Sequence, residues 1–570
     1  MYITNIPNRN SPPAILLRES YRVNGKVKSR TLANLTSLPP QATDLLRRYL
    51  KGEHLVTAEQ SFEIIENGSP AHGHVEAVLT AMKRLNFSSL IGSRPSPQRD
   101  LVVAMVAARI LQPKSKLATS LWWKDTTLPD LLQIGETTED DLYQAMDWLI
   151  ERQDVIEKKL AARHLGNNAI TLYDLTSSYF EGETCPLAAR GHNRDGKKGK
   201  LQVNYGLLTN HVGIPVSVSV FEGNTADPKT LLPQVKKIRD RFGVEQFIIV
   251  GDRGMLTQKQ IDGIKTFEGI DWIGALRPEA IKKMVNSGAI QMGLFDERNL
   301  FEVSHPDFPG ERLIACRNQE LAKRRAIKRE SLLDATVKEL EKARQMVVHK
   351  RLEGKSAIGL RIGKVINKYK VAKHFKLDIA DDAFNYEIKE DKLKAEAALD
   401  GIYIVRTSLS KDRMCADDAV RNYKQLSQVE RAFRSFKTVD LMVRPIHHRL
   451  EDRVRAHIFL CMLSYYVQWH MMEAWRPLMY ADEEQEAKAF RDPVAPARRS
   501  DSALEKIYSK RIEDGSRVYS FRGLLSHLGA IVRANCRCST GEDEPFTFTM
   551  ITKPNPTQQK AFDLLQQITL

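Results

Sequence analysis

Three acidic residues in this chain have the types and settings that chemistry at phosphorus requires. Asp174 closes in on the end of an apolar run, AITLYDLT, and Asp252 follows a second one, EQFIIVGD. Glu430 lies in an amphipathic polar stretch that reads as helix. In-line displacement at a phosphodiester needs an activated oxygen nucleophile and a stabilised leaving oxygen, and two divalent ions about 3.5–4 Å apart can clamp both. Mg²⁺ prefers carboxylate oxygens and leaves water and phosphate to complete its shell. Three carboxylates converging from two strand ends and one helix meet that demand. Each acid also has a plainer reading. Either aspartate could be a helix N-cap or turn residue after its strand, and Glu430 could belong to a salt-bridged surface helix.

Spacing adds to the third acid. Tyr423, Glu430 and Lys437 are seven residues apart in each step, and seven residues return almost to one helix face. One stripe would then carry a phenol, a carboxylate and an ammonium, with Lys437 as a point charge for phosphate. Val420, Val429, Phe433 and Phe436 supply apolar positions to seat that helix on a sheet. Arg253, next to Asp252, is a phosphate ligand or the ion-pair partner of an acid. The Gly-rich loop RGHNRDGKKGK, from Arg190 to Lys200, brings Lys197, Lys198 and Lys200 near the acids; it reads as a DNA contact or as a solvated mobile loop. His447 and His448 read as structural or surface histidines.

The elements that must hold these residues follow from periodicity. Asn24-Gly25 within ILLRESYRVNGKVKSRTLANL predicts a basic hairpin. Helical patterns such as VEAVLTAMKRL and LVVAMVAARILQ fill the stretch from about 60 to 165. Three strands then follow in succession: AITLYDLT, LQVNYGLLTN and GIPVSVSVFEG. Helix and strand alternate after them, with EQFIIVGD and DWIGALR as fourth and fifth strands. The expected fold class is therefore α/β, a mixed sheet with helices on its faces. Residues from about 280 to 400 break the pattern with a long charged helix, read as a solvated amphipathic element. The strand GIYIVRTS leads into a helix from about Asp417 to Lys437, and a buried apolar helix runs from about Arg453 to Trp469.

Bulk composition narrows the partners. Lys plus Arg number 86 against 71 Asp plus Glu, a formal charge of +15. Such a surplus favours a polyanion, though charge alone leaves nucleic acid at even odds. The scattered cysteines fit a reducing cytosol rather than a disulfide framework, and Cys536 and Cys538, two apart, read as incidental residues of a helix tail rather than a zinc site. The apolar stretch from Ile458 to Val467 is too short to span a bilayer. No membrane is expected, and the expected location is the cytoplasm.

The ordered set of segments resembles the DDE insertion-sequence transposases of the insertion-sequence-four-like superfamily, which carry a Tyr-x2-Arg-x3-Glu-x6-Lys signature. Tyr423, Glu430 and Lys437 fall on that pattern, and Leu426 stands where the signature has Arg. Lys424 and Arg434 are candidate substitutes. TLYDLTSSYFEG, GHNRDGKKGKLQVNYGLL, GIPVSVSVFEGNTAD, IIVGDRGM and the N-terminal RESYRVNGKVKSRTLANL resemble other segments of such enzymes. The resemblance implies a ribonuclease H-like core in which Asp174, Asp252 and Glu430 hold two Mg²⁺ ions, with Mn²⁺ as a substitute. It implies double-stranded DNA as partner, both element ends and target, and a synaptic complex of at least two chains. Tyr423, Lys437, Arg253, Lys197, Lys198, Lys200 and Arg434 are the implied DNA contacts. The expected organisation is a DNA-binding region over 1–165, the first part of the core over 166–280, an insertion over 281–400, the second part over 401–475, and a C-terminal region over 476–570 for dimerisation. The alternatives are a ribonuclease H-like nuclease without strand transfer and a decayed transposase that only binds DNA.

Overall fold

The structure is a computed structural model that describes residues 1–9, 11–53, 62–65, 68–291, 293, 295, 298–537 and 547–570. The chain divides into two compact units, one formed by Met1–Ala71 with Ile531–Lys553 and the other by His72–Ala530 with Pro554–Leu570. The region expected to run from 1 to 165 thus divides after Ala71, and the C-terminal hundred residues contribute to both units.

In the first unit, β1 (Tyr2–Ile6), β2 (Ala14–Val23) and β3 (Lys26–Asn34) form an antiparallel sheet in that order. Asn24 (φ 49°) and Gly25 (φ 78°) make the two-residue turn between β2 and β3. Both central residues of such a turn need positive φ, which asparagine and glycine tolerate best. β4 (Glu63–Ile64) pairs with the strand Arg533–Arg537, which also pairs with Thr547–Ile551. Cys536 is therefore a buried, free strand residue and not part of a helix tail; Cys538 lies outside the described residues.

In the second unit, eight strands among the described residues form one mixed sheet. β5 (Ala169–Tyr179), β6 (Gln202–Asn210) and β7 (Pro215–Glu222) make an antiparallel meander. β8 (Phe247–Val250) runs parallel to β5, and β9 (Ile270–Ala275) runs parallel to β8. These are the five expected strands. The sheet then continues: β10 (Leu300–Val303) pairs with β11 (Arg312–Arg317), and a separate ribbon, β12 (Phe375–Ile379) with β13 (Phe384–Ile388), intervenes in sequence. β14 (Ile402–Thr407) joins β11 to β9, giving the spatial order β10-β11-β14-β9-β8-β5-β6-β7. The expected break over 280–400 is thus partly an extension of the same sheet, because β14 offers β11 a free edge.

The rest of that stretch has its own small core. The charged helix Gln319–Val348 buries Leu333, Leu340, Ala343 and Val347 against Ile358, Ile362 and Val365 of the helix Lys355–Tyr369, with Phe375 and Phe384 from the ribbon. Steps of seven, three and four residues place those four side chains on one stripe, leaving the charges to solvent.

Behind the main sheet, Pro97–Leu111 is buried at every residue from Leu101 to Leu111 and packs on the helix Glu451–Ala474. The latter is buried almost throughout from Val454 to Met471 and also packs on Glu139–Ile150 and on β7. No helix among the described residues is long and apolar enough to cross a membrane. Meander packing imposes one strict size limit. Tyr173 is wholly buried, and its ring lies over Gly206 of β6, where a Cβ would stand 2.1 Å from Oη and 2.6 Å from Cζ. Gly206→Ala should cost about 1–3 kcal/mol through overpacking and lower the thermal midpoint, whereas Gly135→Ala, with open space around it, should leave it unchanged; equal midpoints for the two variants would refute this account of the meander.

Candidate active site

Asp174 lies in the middle of β5 and not at its C-terminal end as expected. β6 keeps pairing with β5 as far as Tyr179↔Gln202, so the strand continues after β8 has stopped at Val250. The last parallel pair is Leu172↔Val250, an offset of 250 − 172 = 78. The acids carry the same offset, 252 − 174 = 78, and each stands two residues beyond that pair. Strand register therefore sets both carboxylates at one level, where β8 has ended and the edge of β5 is open.

Local hydrogen bonds orient them. Asp174 Oδ1 accepts from the Leu175 N–H at 2.8 Å. Asp252 Oδ1 accepts from the N–H groups of Gly254 at 3.0 Å and Met255 at 2.8 Å. The turn-residue reading of Asp252 is thus correct as geometry, and it also fixes where the carboxylate points. Both acids are half-buried. Burial pushes the Asp174 carboxyl up to about 7, and the charges of Asp252 and then Glu430 add to the rise; the Leu175 N–H and Arg194 oppose it. Like charges crowd here before any cation is considered.

Glu430 comes from the helix Leu426–Arg434, which packs against β5. Val429 and Ala432 are wholly buried, and Phe433 meets Tyr205 of β6 edge-on at 5.9 Å between ring centroids. Glu430 itself is exposed, at the edge of that packed face, and its charge acts on Asp174. Tyr423 belongs to the preceding helix, Ala416–Lys424. Burial pushes its phenol up to about 12, and Asp252, Glu430 and Asp174 all act in the same sense while Arg253 opposes them. The phenol therefore shares the neighbourhood of all three acids and stays protonated.

The Transposase DDE domain family matches residues 169–467, more than half of the 570-residue chain. This chain belongs to the DDE transposases. Residues 3–61 match the N-terminal domain of the IS1634 family transposases. The transposase is accordingly an enzyme of DNA transposition, of the insertion-sequence type. No curated protein matches it. Among solved structures, the piggyBac transposase synaptic complex with hairpin DNA superposes over 80% of this chain and 77% of that one, at 10% identity and a TM-score of 0.34, too loosely to carry an argument.

DDE transposases use divalent metal ions, and the donors here fit such an ion in kind. Half-buried carboxylates are brought together from adjacent strands with few cations to balance them. Among the described residues no three His, Cys, Asp or Glu side chains already stand close enough to enclose one. Asp174 and Asp252 form the fixed pair, and Glu430 faces them from its helix without closing the set.

The expected single helix from Asp417 to Lys437 is in three pieces. It tightens at Gln425, resumes at Leu426, and passes into a π-helical turn over Ser435–Val439. A π turn accommodates an extra residue, so Lys437 leaves the expected stripe. Its ammonium instead donates to Asp195 Oδ1 at 2.9 Å. Lys424 donates to the carbonyls of Val494 and Ala495 at 3.3 and 3.4 Å, so it is turned away from Glu430. Arg434 is exposed one helical turn beyond Glu430, on the same face. Arg253 is exposed and makes no ion pair with a described carboxylate.

The basic loop is tethered rather than loose. Asn193 Oδ1 accepts from the N–H groups of Asp195 and Lys197, both at 2.9 Å. Arg194 donates to both oxygens of Asp227 at 2.6 Å, and its own N–H reaches Ser177 Oγ of β5 at 3.2 Å. Lys200 pairs with Glu181, while Lys197 and Lys198 stay exposed without a described carboxylate partner. Asp195, Arg194 and Asp227 were not singled out in the sequence. The available signal was the lone acid of RGHNRDGKKGK, overshadowed by the lysines around it. His448 is the expected structural residue, packed against Tyr143 and His457 and pushed down to about 3 by burial.

The raised Asp174 value has a definite sign. In the folded chain the carboxyl holds its proton up to about 7, against 3.8 ordinarily, so the stability tied to that proton is present at low pH and lost as pH rises through about 7. In chelator, Asp174→Asn should therefore melt a few degrees above wild type near pH 8, with the gap narrowing near pH 5. Parallel pH dependences of melting for the two chains would show that the Asp174 carboxyl is not raised in the fold.

Proposed function

We propose that the transposase binds the terminal inverted repeats of its own element and cuts and joins DNA at Asp174, Asp252 and Glu430 within a ribonuclease H-like core. The observation that carries this reading is the shared register of Asp174 and Asp252, with the Glu430 helix packed on the same strand. The order β7-β6-β5-β8-β9, a meander followed by two parallel strands, supports the ribonuclease H-like assignment.

Asp174, Asp252 and Glu430 would hold two Mg²⁺ ions, or Mn²⁺, which supply activation of the attacking oxygen and charge stabilisation at the leaving one. The chain's own residues do the rest. Asp252, fixed by its turn, and Asp174, fixed by β5, set the carboxylates in place. Tyr423, protonated, donates a hydrogen bond into the site. Arg253 and Arg434, both exposed beside the acids, and Lys197, Lys198 and Lys200 on the loop contact the DNA backbone, and Lys437 presents its ammonium to phosphate. Water attack nicks the DNA, and the freed 3′-hydroxyl then attacks the partner strand or the target. Both steps are displacements at phosphorus, so one set of carboxylates serves both.

The basic N-terminal hairpin and the helices before residue 165 are assigned to end recognition, the insertion over 281–400 to shaping the DNA path, and residues 476–570 to pairing of chains in a synaptic complex. Leu426, at the position where the family signature has Arg, favours a second reading in which the protein binds DNA without cutting it.

Both readings meet one assay. Wild type should nick duplexes carrying the element's own ends in Mg²⁺, and Glu430→Ala or Asp252→Ala should reduce cutting by at least a hundredfold while end binding stays within threefold. A variant that cuts normally removes its residue from the site, and a wild-type chain that binds ends yet never cuts, in Mg²⁺ or Mn²⁺, puts the second reading first.

A further inference from the structure

Asp195 is the most heavily engaged acid near the proposed site. Its side chain is 1% exposed. One oxygen, Oδ2, accepts the backbone N–H of Tyr179 at 3.0 Å. The other, Oδ1, accepts from the Lys437 ammonium at 2.9 Å and pairs with the Arg444 guanidinium. A single carboxylate thus joins three pieces of chain: the last residue of β5, the π turn after the Glu430 helix, and the segment beyond it. That segment is stitched to β5 independently. The Ile446 N–H donates to the Tyr179 carbonyl at 3.2 Å, and the Glu181 N–H donates to the Ile446 carbonyl at 2.9 Å.

We infer that Asp195 is a positioning residue for DNA strand cleavage, fixing Lys437 and Arg444 at the end of β5 so that both meet the phosphate of a DNA end in a preset place. This rests on the site proposed above. Lysine and arginine side chains are rotamer-rich, and a cation already held loses less freedom when phosphate arrives. Two cations against one carboxylate leave the group with one positive charge in surplus, so the clasp still attracts an anion. Burial pushes the Lys437 ammonium down from its ordinary value while Asp195 pulls it up, with Arg444 and Arg194 opposing Asp195. The carboxylate therefore also favours the charged form on which phosphate contact depends.

Asp195→Asn keeps the shape and the acceptor for Tyr179 and puts a neutral N–H donor in place of the charged acceptor that faces Lys437 and Arg444. In single-turnover cleavage of duplexes bearing the element's ends, with the full chain, this variant should cut at least tenfold more slowly. Its Kd for the ends should stay within threefold, because most backbone contacts remain. In a Lys437→Gln background the same change should cost less than fivefold, since one of its two partners is gone and only Arg444 remains to be held. Arg444→Gln, at the rim of the cluster, should slow cutting at least fivefold and serves if Asp195→Asn melts early. Wild-type rates in Asp195→Asn or Arg444→Gln, or an equal loss with and without Lys437, would overturn the inference. Failure of wild type to cut at all would instead count against the proposed function.

Discussion

The parallel pairing of β5 with β8 is the constraint on which the site depends. Four residue pairs, Ala169↔Phe247 to Leu172↔Val250, fix the register, which sets Asp174 and Asp252 at one level, and the turn after β8 then orients the Asp252 carboxylate. A slip of one residue would turn one strand's side chains to the other face of the sheet. The slip is prevented by burial: Leu172, Ile249 and Val250 are wholly buried and Phe247 nearly so. Apolar packing thus enforces an arrangement that electrostatics opposes. Burial first, and the charge of Asp252 second, hold the Asp174 carboxyl protonated above its ordinary range, and a buried pair of acids is one that favours cations.

The second half of the site depends on how the Glu430 helix is seated. Its apolar face is fixed by Val429, Ala432 and Phe433, which leaves Glu430 exposed within electrostatic reach of Asp174. Continuing this helix as a regular α-helix would carry Lys437 along the same stripe. The π turn interrupts that, and Asp195 receives the displaced ammonium. Irregular helix and buried acid belong together, because the wider turn delivers Lys437 to the loop that follows β5. The loop in turn is held by Asn193 and by the bidentate pair of Arg194 with Asp227. A segment rich in glycine and lysine is thereby given a defined path beside β5.

The stretch between β9 and β14 shows how a sheet can grow without a new interface. β14 adds to the free edge of β9, and β11 and β10 then follow in antiparallel order. Each added strand satisfies the backbone groups left open by the last. The long helix Gln319–Val348, the helix after it and the small ribbon form a separate apolar core, so this part of the stretch is stabilised by its own packing.

Much of this protein was legible in its residues. Apolar runs ending near Asp174 and Asp252 gave the strands, Asn24-Gly25 gave the hairpin turn, and the long charged stretch read as an amphipathic helix. These are local signals, set by side-chain periodicity and by which residues tolerate positive φ. The ordered motifs around the acids pointed to the transposase family, which the match over residues 169–467 bears out. Other features could be decided only by the tertiary structure. β5 overruns Asp174 because β6, a different stretch of chain, supplies its hydrogen-bond partners. Lys437 leaves its stripe and finds Asp195, 242 residues away, and β10 and β11 join the main sheet through β14. In each case the deciding partner lies far off in sequence, and only folding brings it within hydrogen-bonding distance.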